Sequence, residues 1–330
     1  MIRACLFFLA AVLAASFVQA QPVASLADGR SGDIQFASRT PRGPSDLVRR
    51  SPSMPEATVT GRLVLPSSIG RLPAIVIAHG SGGILAGREH DWAARLNALG
   101  YATFVVDSFA GRGLRNTAAD QSRLSTMANV ADALAALQLL ATHPRLDPQR
   151  IAVMGFSRGG QVALYTALEP VRAGVIDGGL RFAAHIALYP SCSIPYRAEA
   201  LAGGPILMLL GEADDYTPAP PCLDYADWFR RRGAAVETRV YAGAYHDFDI
   251  PAPPRRYANL QSARNCQAEV VVGNGTMKRL DTGEEMADQA AINAYLKTCM
   301  EYGATYGGNA AALAAAQRDV AAFLKGALGP

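Results

Sequence analysis

The sequence predicts an α/β fold, with a mostly parallel central sheet and helices on both faces. Three observations lead there. Several segments are unbroken apolar runs of four to seven residues, the pattern of strands covered on both sides rather than on one. These runs alternate with segments of helical periodicity, as parallel sheets require. The chain has 330 residues, 50% hydrophobic and 18% charged, which excludes a disordered polymer and allows a large core without metal or disulfide help. Its formal net charge is +3, with no run of five basic residues. That excludes a nucleic-acid binder working through a basic stripe.

Taken in order, the first twenty residues stand apart. Arg3 supplies a positive charge, residues 6–18 are almost wholly apolar, and Val18-Gln19-Ala20 ends in small residues. This predicts a secretory signal peptide over 1–20, cleaved after Ala20. The apolar stretch is short for a bilayer span of about 20 residues. The mature protein is expected to be exported, periplasmic or secreted. Residues 21–55 read as a loose lead-in with a strand at 33–37. Strands are predicted at 59–65, 73–78, 101–106, 151–154, 182–188, 205–210 and 236–241. Helices are predicted at 91–99, 125–142, 159–168, 223–232 and 310–328. Gly100, Pro144 and Gly233 supply stops. Residues 251–308 are polar and weak in periodicity, with a hairpin around Asp281-Thr282-Gly283. They read as an inserted cap or loop region on a single domain over 21–330.

Cys5 leaves with the leader, so Cys192, Cys222, Cys266 and Cys299 remain. Four cysteines in an exported chain imply two disulfides with three pairings open. Cys192–Cys222 and Cys266–Cys299 are preferred: the first ties two loops that follow successive strands, and the second closes a local loop. No CxxC element occurs, which argues against a zinc site.

The chemistry concentrates at Gly155-Phe156-Ser157-Arg158-Gly159. In this G-x-S-x-G pattern the chain turns sharply from an apolar strand into a helix and lifts the serine hydroxyl above the sheet. The helix start directs amides and the positive dipole end toward charge near Ser157. A serine hydroxyl needs a base. His246 follows the last predicted strand and fills that role, whereas His79, His90, His143 and His185 read as structural. The acid must lie between them in the order Ser, Asp, His. Asp214, in Gly211-Glu212-Ala213-Asp214-Asp215, is chosen, with Asp215 as the alternative. Oxyanion donors are expected from the backbone N–H of Arg158 and from the loop His79-Gly80-Ser81-Gly82-Gly83. There Ser81 is chosen, with Gly80 and Gly82 as neighbours. Asp107 ends a strand on the ligand-binding side of the sheet and reads as a structural partner of Arg112 or of nearby backbone. The Arg158 side chain reads as exposed, salt-bridged, or facing an acidic substrate group.

With those residues assigned, the chain resembles the dienelactone hydrolase family of the α/β-hydrolase superfamily. PAIVIAHGSGG, GYATFVVDSFAGRG, LDPQRIAVMGFSRGG, LLGEADDYTP, YAGAYHDFD and ATYGGNAAALAAAQRDVAAFL carry the resemblance, in order from about residue 61 to 324. The stretch 251–300 departs from it. The resemblance implies an α/β-hydrolase fold and a hydrolase for small-molecule esters or lactones, with no metal and no organic cofactor. The family spacing G-x-x-D-x-x-x-P fits Gly211, Asp214 and Pro218, and so implies Asp214 over Asp215. The namesake enzymes use a cysteine nucleophile where Ser157 stands, which leans toward a serine carboxylesterase. A serine peptidase or acyl-peptide hydrolase, and a non-catalytic exported binding protein on the same fold, are the rival readings. Neither nucleic acid nor, after leader removal, membrane is an expected partner.

Overall fold

A computed structural model describes residues 21–329; the expected signal peptide lies outside the described residues. In chain order the strands are β1 (Gly32–Arg39), β2 (Glu56–Val64), β3 (Leu72–Ala78), β4 (Ala102–Asp107), β5 (Leu146–Phe156), β6 (His185–Leu188), β7 (Tyr196–Arg197), β8 (Ile206–Gly211), β9 (Val236–Tyr241), β10 (Arg255–Ser262), β11 (Ala268–Val271), β12 (Thr276–Arg279), β13 (Glu285–Met286) and β14 (Glu301–Tyr306). The helices are α1 (Pro44–Val48), α2 (Glu89–Ala98), α3 (Thr126–Leu140), α4 (Arg158–Tyr165), α5 (Glu169–Ala173), α6 (Ala219–Arg231), α7 (Gln289–Cys299) and α8 (Ala310–Leu328).

Among the described residues, eight strands form the central sheet in the order β1-β2-β4-β3-β5-β6-β8-β9. β1, β2 and β4 pair antiparallel, and every pairing from β4 onward is parallel. β3 shows why the apolar runs are continuous. Ala74, Val76 and Ala78 face one core layer, while Ile75 and Ile77 face the other. The first layer is closed by α3, α4 and α6, through residues such as Leu134, Val162 and Phe229. The second is closed by α2 and α8, through Trp92, Leu96, Val320 and Leu324. Burying one such leucine contributes about 1.5–3 kcal/mol.

Local signals set the element ends. Ser125 lies just outside α3 and caps it, its hydroxyl accepting from the Met127 amide at 3.2 Å. Gly100 ends α2 with φ 93°, and the Tyr101 amide folds back to the Leu96 carbonyl at 3.1 Å, a left-handed C-terminal cap. α6 starts at Ala219, earlier than the expected 223. Its first turn carries Pro220 and Pro221, where the missing amides have no helical acceptor to lose. β6 starts only at His185, not 182, and β5 extends back to Leu146.

Residues 251–308 hold more regular structure than their pattern suggested. β10 pairs with β14, and β13-β12-β11-β7 make a second small sheet. Met277, Met286, Val270, Tyr295 and Cys266 form its core. The strands are two to eight residues long, mostly too short for alternation to register as a period. The turn at Asp281-Thr282-Gly283 joins β12 to β13, which pair antiparallel. β7, from the segment between β6 and β8, pairs with β11 and so joins this region to the rest of the chain. Disulfides join Cys192 to Cys222 and Cys266 to Cys299.

Candidate active site

β5 turns into α4 at Ser157, which adopts φ 55° and ψ −112°. A non-glycine residue with positive φ is strained, and such strain gathers at functional turns. The flanking glycines follow from the close quarters. A Cβ on Gly155 would stand 2.1 Å from the Gly159 carbonyl oxygen, and one on Gly159 would stand 2.0 Å from that of Ala78. Ser157 is 8% exposed, and its amide donates to the Leu188 carbonyl at 2.9 Å. The Arg158 amide opens α4, where no carbonyl precedes it in the helix.

The loop after β3 lies against this turn. A Cβ on Gly80 would meet the Cβ of Ser157 at 3.4 Å. Ser81 is buried, and its carbonyl accepts from the Thr117 amide at 2.8 Å. His79 is buried as well. Its Nδ1 faces the Gly80 carbonyl at 2.8 Å, and its Nε2 accepts from the Ser108 amide at 3.1 Å. It shapes the loop rather than facing the cleft.

Asp214 follows β8 and His246 follows β9. His246 Nδ1 lies 2.8 Å from Asp214 Oδ2. A carboxylate there places the ring proton on Nδ1 and leaves Nε2 as an acceptor. Asp214 Oδ1 accepts the amides of Tyr216 and Thr217 at 2.9 and 2.8 Å. The Thr217 hydroxyl stands 2.9 Å from both Asp214 Oδ2 and His246 Nδ1. Asp215 points elsewhere, taking the Thr305 amide at 2.6 Å and Arg256 at 3.3 Å. The structure therefore brings Asp214, not Asp215, to His246. No hydrogen bond joins Ser157 to His246 among the described residues; such contacts are commonly long before substrate binds.

His246 is 2% exposed, with Tyr189 and Tyr216 set edge-on at 4.7 Å on its ring. Burial alone would push its pKa down. The Asp214 charge and hydrogen bond, helped by Asp247, outweigh burial and hold it above the ordinary value of 6.5.

The cleft over Ser157 has a volume of about 960 Å³. The body contributes Ser157, Arg158, Tyr165 and Tyr216 to its walls, and the cap contributes Met277, Leu296, Met300 and Tyr302. Of the two partners expected for Asp107, the structure gives nearby backbone: it accepts the amides of Phe109 and Ala110 at 2.9 and 3.0 Å, while Arg112 pairs with the fully buried Asp132. Arg158 is 3% exposed with neutral partners only, neither solvated nor salt-bridged. Of the remaining histidines, His143 and His185 are buried and His90 is exposed on α2.

A buried polar cluster beside His246 was missed by sequence reasoning. Arg88 donates to Glu89 at 2.7 Å and to Asp247 at 2.8 Å, and all three are buried. Asp247 Oδ1 lies 3.9 Å from His246 Nε2. Asp249 accepts Tyr189 Oη at 2.5 Å and Trp92 Nε1 at 2.7 Å, and burial pushes its pKa up to about 6. Charged residues flanking His246 in Tyr245-His246-Asp247-Phe248-Asp249 were the available signal. Arg88 offered none.

The family model for the dienelactone hydrolase family matches residues 59–272, more than half of the chain. The chain belongs to the dienelactone hydrolase family. It is accordingly a hydrolase of the α/β-hydrolase fold, from a family acting on ester and lactone bonds. A relative from Bradyrhizobium sp, a probable 2-oxo-3-(5-oxofuran-2-ylidene)propanoate lactonase, is 26% identical over 194 residues, covering 56% of this chain and 77% of that protein. An uncharacterised protein of Mycobacterium tuberculosis is 29% identical over 165 residues, covering 46% of this chain and 56% of that one. Among solved structures, the propionate-bound esterase Est2 of Thermogutta terrifontis aligns with a TM-score of 0.47 at 19% identity, covering 58% of this chain and 80% of that chain.

Proposed function

We propose that the protein is an exported serine esterase or lactonase working through Ser157, His246 and Asp214. The observation that carries this reading is the 2.8 Å contact between Asp214 and His246, set beside a strained Ser157 at the start of α4. His246 Nε2 takes the Ser157 proton as Oγ adds to the ester carbonyl. Asp214 holds the ring in the required tautomer and stabilises the imidazolium. The backbone amides of Ser81 and Arg158 receive the oxyanion. Collapse of the intermediate breaks the bond to the alkoxy oxygen, which leaves with the proton from His246. Water, deprotonated by His246, then releases the acid and restores Ser157. With a lactone the alcohol stays attached to the acyl chain. The lactonase name of the Bradyrhizobium relative favours including cyclic esters.

Export is supported by the leader-like first twenty residues and by two disulfides, which persist in oxidising compartments. No helix among the described residues is long and apolar enough to cross a membrane.

The test is turnover of p-nitrophenyl esters from acetate to dodecanoate by wild type and Ser157→Ala, with fluorophosphonate labelling of both. Wild type should hydrolyse esters with a chain-length optimum and take the label, and the variant should do neither. Equal turnover in both proteins would remove Ser157 from the mechanism. Absence of turnover and label in wild type would favour a binding protein.

A further inference from the structure

The buried arginines of this chain differ in one respect. Arg88 is paired with Glu89 and Asp247, Arg112 with Asp132, and Arg172 with Glu169. Arg158 is as deeply buried and, among the described residues, has no carboxylate partner. Its Nε donates to Ser81 Oγ at 3.3 Å, Nη1 to the Leu124 carbonyl at 2.6 Å, and Nη2 to Gln121 O and Oε1, both at 3.1 Å. Burial draws its pKa down to about 10, and the groups that act against this are tyrosines. An uncompensated buried charge is costly and is normally neutralised or paired. Here it stands one residue from Ser157.

The partners of Arg158 form a closed ring. Ser81 Oγ accepts from Arg158 Nε and donates to Gln121 Oε1 at 3.3 Å, and that same oxygen accepts from Arg158 Nη2. The ring clamps the Ser81 residue to the start of α4 from one side, while the Thr117 amide holds its carbonyl from the other. Gln121 also donates to the Tyr216 hydroxyl at 3.3 Å and to the Gln261 carbonyl at 3.0 Å, so the acid-bearing loop and the cap brace it.

Resting on the serine-hydrolase reading, we infer that the Arg158 side chain is a positioning residue for the oxyanion hole. It fixes the Ser81 amide beside its own, and its missing counter-ion is the negative charge that develops on the tetrahedral intermediate. Donors held in place before reaction need no reorganisation when that charge appears, which is where such sites gain most of their rate. A charge without a resident carboxylate partner is not cancelled before the intermediate forms.

The experiment compares Arg158→Gln and Arg158→Lys with wild type on p-nitrophenyl acetate and on mono-p-nitrophenyl succinate, which carries a carboxylate. Ser157→Ala runs alongside, and thermal unfolding checks each fold. Arg158→Gln should lose about 10- to 100-fold in kcat on both esters, with KM within about twofold and the acid limb of the pH profile unmoved. Arg158→Lys should recover part of the loss, keeping the charge but not the fork. Unchanged kcat on the acetate would overturn the inference. So would a KM increase confined to the succinate, which would make Arg158 a substrate-anion contact. Activity surviving in Ser157→Ala would overturn the serine mechanism itself and this inference with it. If Arg158→Gln does not fold, Ser81→Ala opens the ring while keeping both amides and the charge. It should lower kcat with KM unchanged, and an unaltered kcat would again overturn the inference.

Discussion

Asp214 and Asp215 are adjacent carboxylates with opposite assignments, and the difference is one of direction. The turn formed by Tyr216 and Thr217 holds Asp214 with two amides and aims its second oxygen at His246. Asp215 faces the cap. Asp214→Asn should leave the fold intact and lower kcat by roughly 10³- to 10⁴-fold, because an amide favours the wrong imidazole tautomer; Asp215→Asn run in parallel should not. In the proposed mechanism His246 must be neutral to act as base, and its pKa is raised above 6.5. In wild type, kcat/KM should therefore climb with pH through a midpoint above 6.5, and a midpoint below that value would contradict the electrostatics described. Ser157 and His246 stood out in the sequence because motif, strand and chain order point to them together. The spacing could favour Asp214 only through a family pattern, and the Arg88–Asp247 pair was not legible, since 159 residues separate its partners.

At the scale of elements, the parallel sheet was readable because its inner strands β3, β4, β6 and β8 are buried on both faces and so are largely apolar. The strands within 251–308 were not, apart from the hairpin at Asp281-Thr282-Gly283, because they are short and much of their burial depends on a local core that only the folded chain assembles. Boundaries moved where special residues intervene, as at the prolines opening α6. The elbow between β5 and α4 is the least tolerant junction. Gly159→Ala would drive a methyl group to within 2.0 Å of the Ala78 carbonyl oxygen, and backbone on both sides prevents relief. Its expected effect is a loss of folded yield or, in protein that folds, displacement of Ser157 with at least about 100-fold lower kcat. Gly179→Ala, at a glycine with no heavy atom within 4 Å of the added methyl, serves as the comparison, and equal behaviour of the two variants would refute the packing account.

For the whole molecule, buried ionisable groups set how stability responds to acid. His185 is held neutral by burial, with its pKa lowered to about 4. Its unfolded form takes up a proton first, so its contribution is present above 6.5 and lost as pH falls toward 4. Asp249 works in reverse. Its folded pKa is about 6 against 3.8, so it weakens the fold above pH 6 by about 3 kcal/mol and relieves that cost as it protonates. Across pH 4–6 the two offset each other. Asp249→Asn cannot titrate, so its stability relative to wild type should fall by about 3 kcal/mol between pH 7 and pH 3.5, measured by urea unfolding at each pH. A constant difference would show that Asp249 is already ionised and accommodated. The cap contributes to this scale in another way. Its foot is stitched to the segment after β8, with Thr305 on Asp215, Arg264 on the Asp215 carbonyl and Ser262 on the Tyr216 carbonyl, and β11 is paired to the body through β7. A roof fastened in this manner would have to break those bonds to swing like the lid of an oil-droplet lipase. Substrates would enter singly through a standing mouth, and turnover would follow the concentration of dissolved monomer without a jump where droplets or micelles first form.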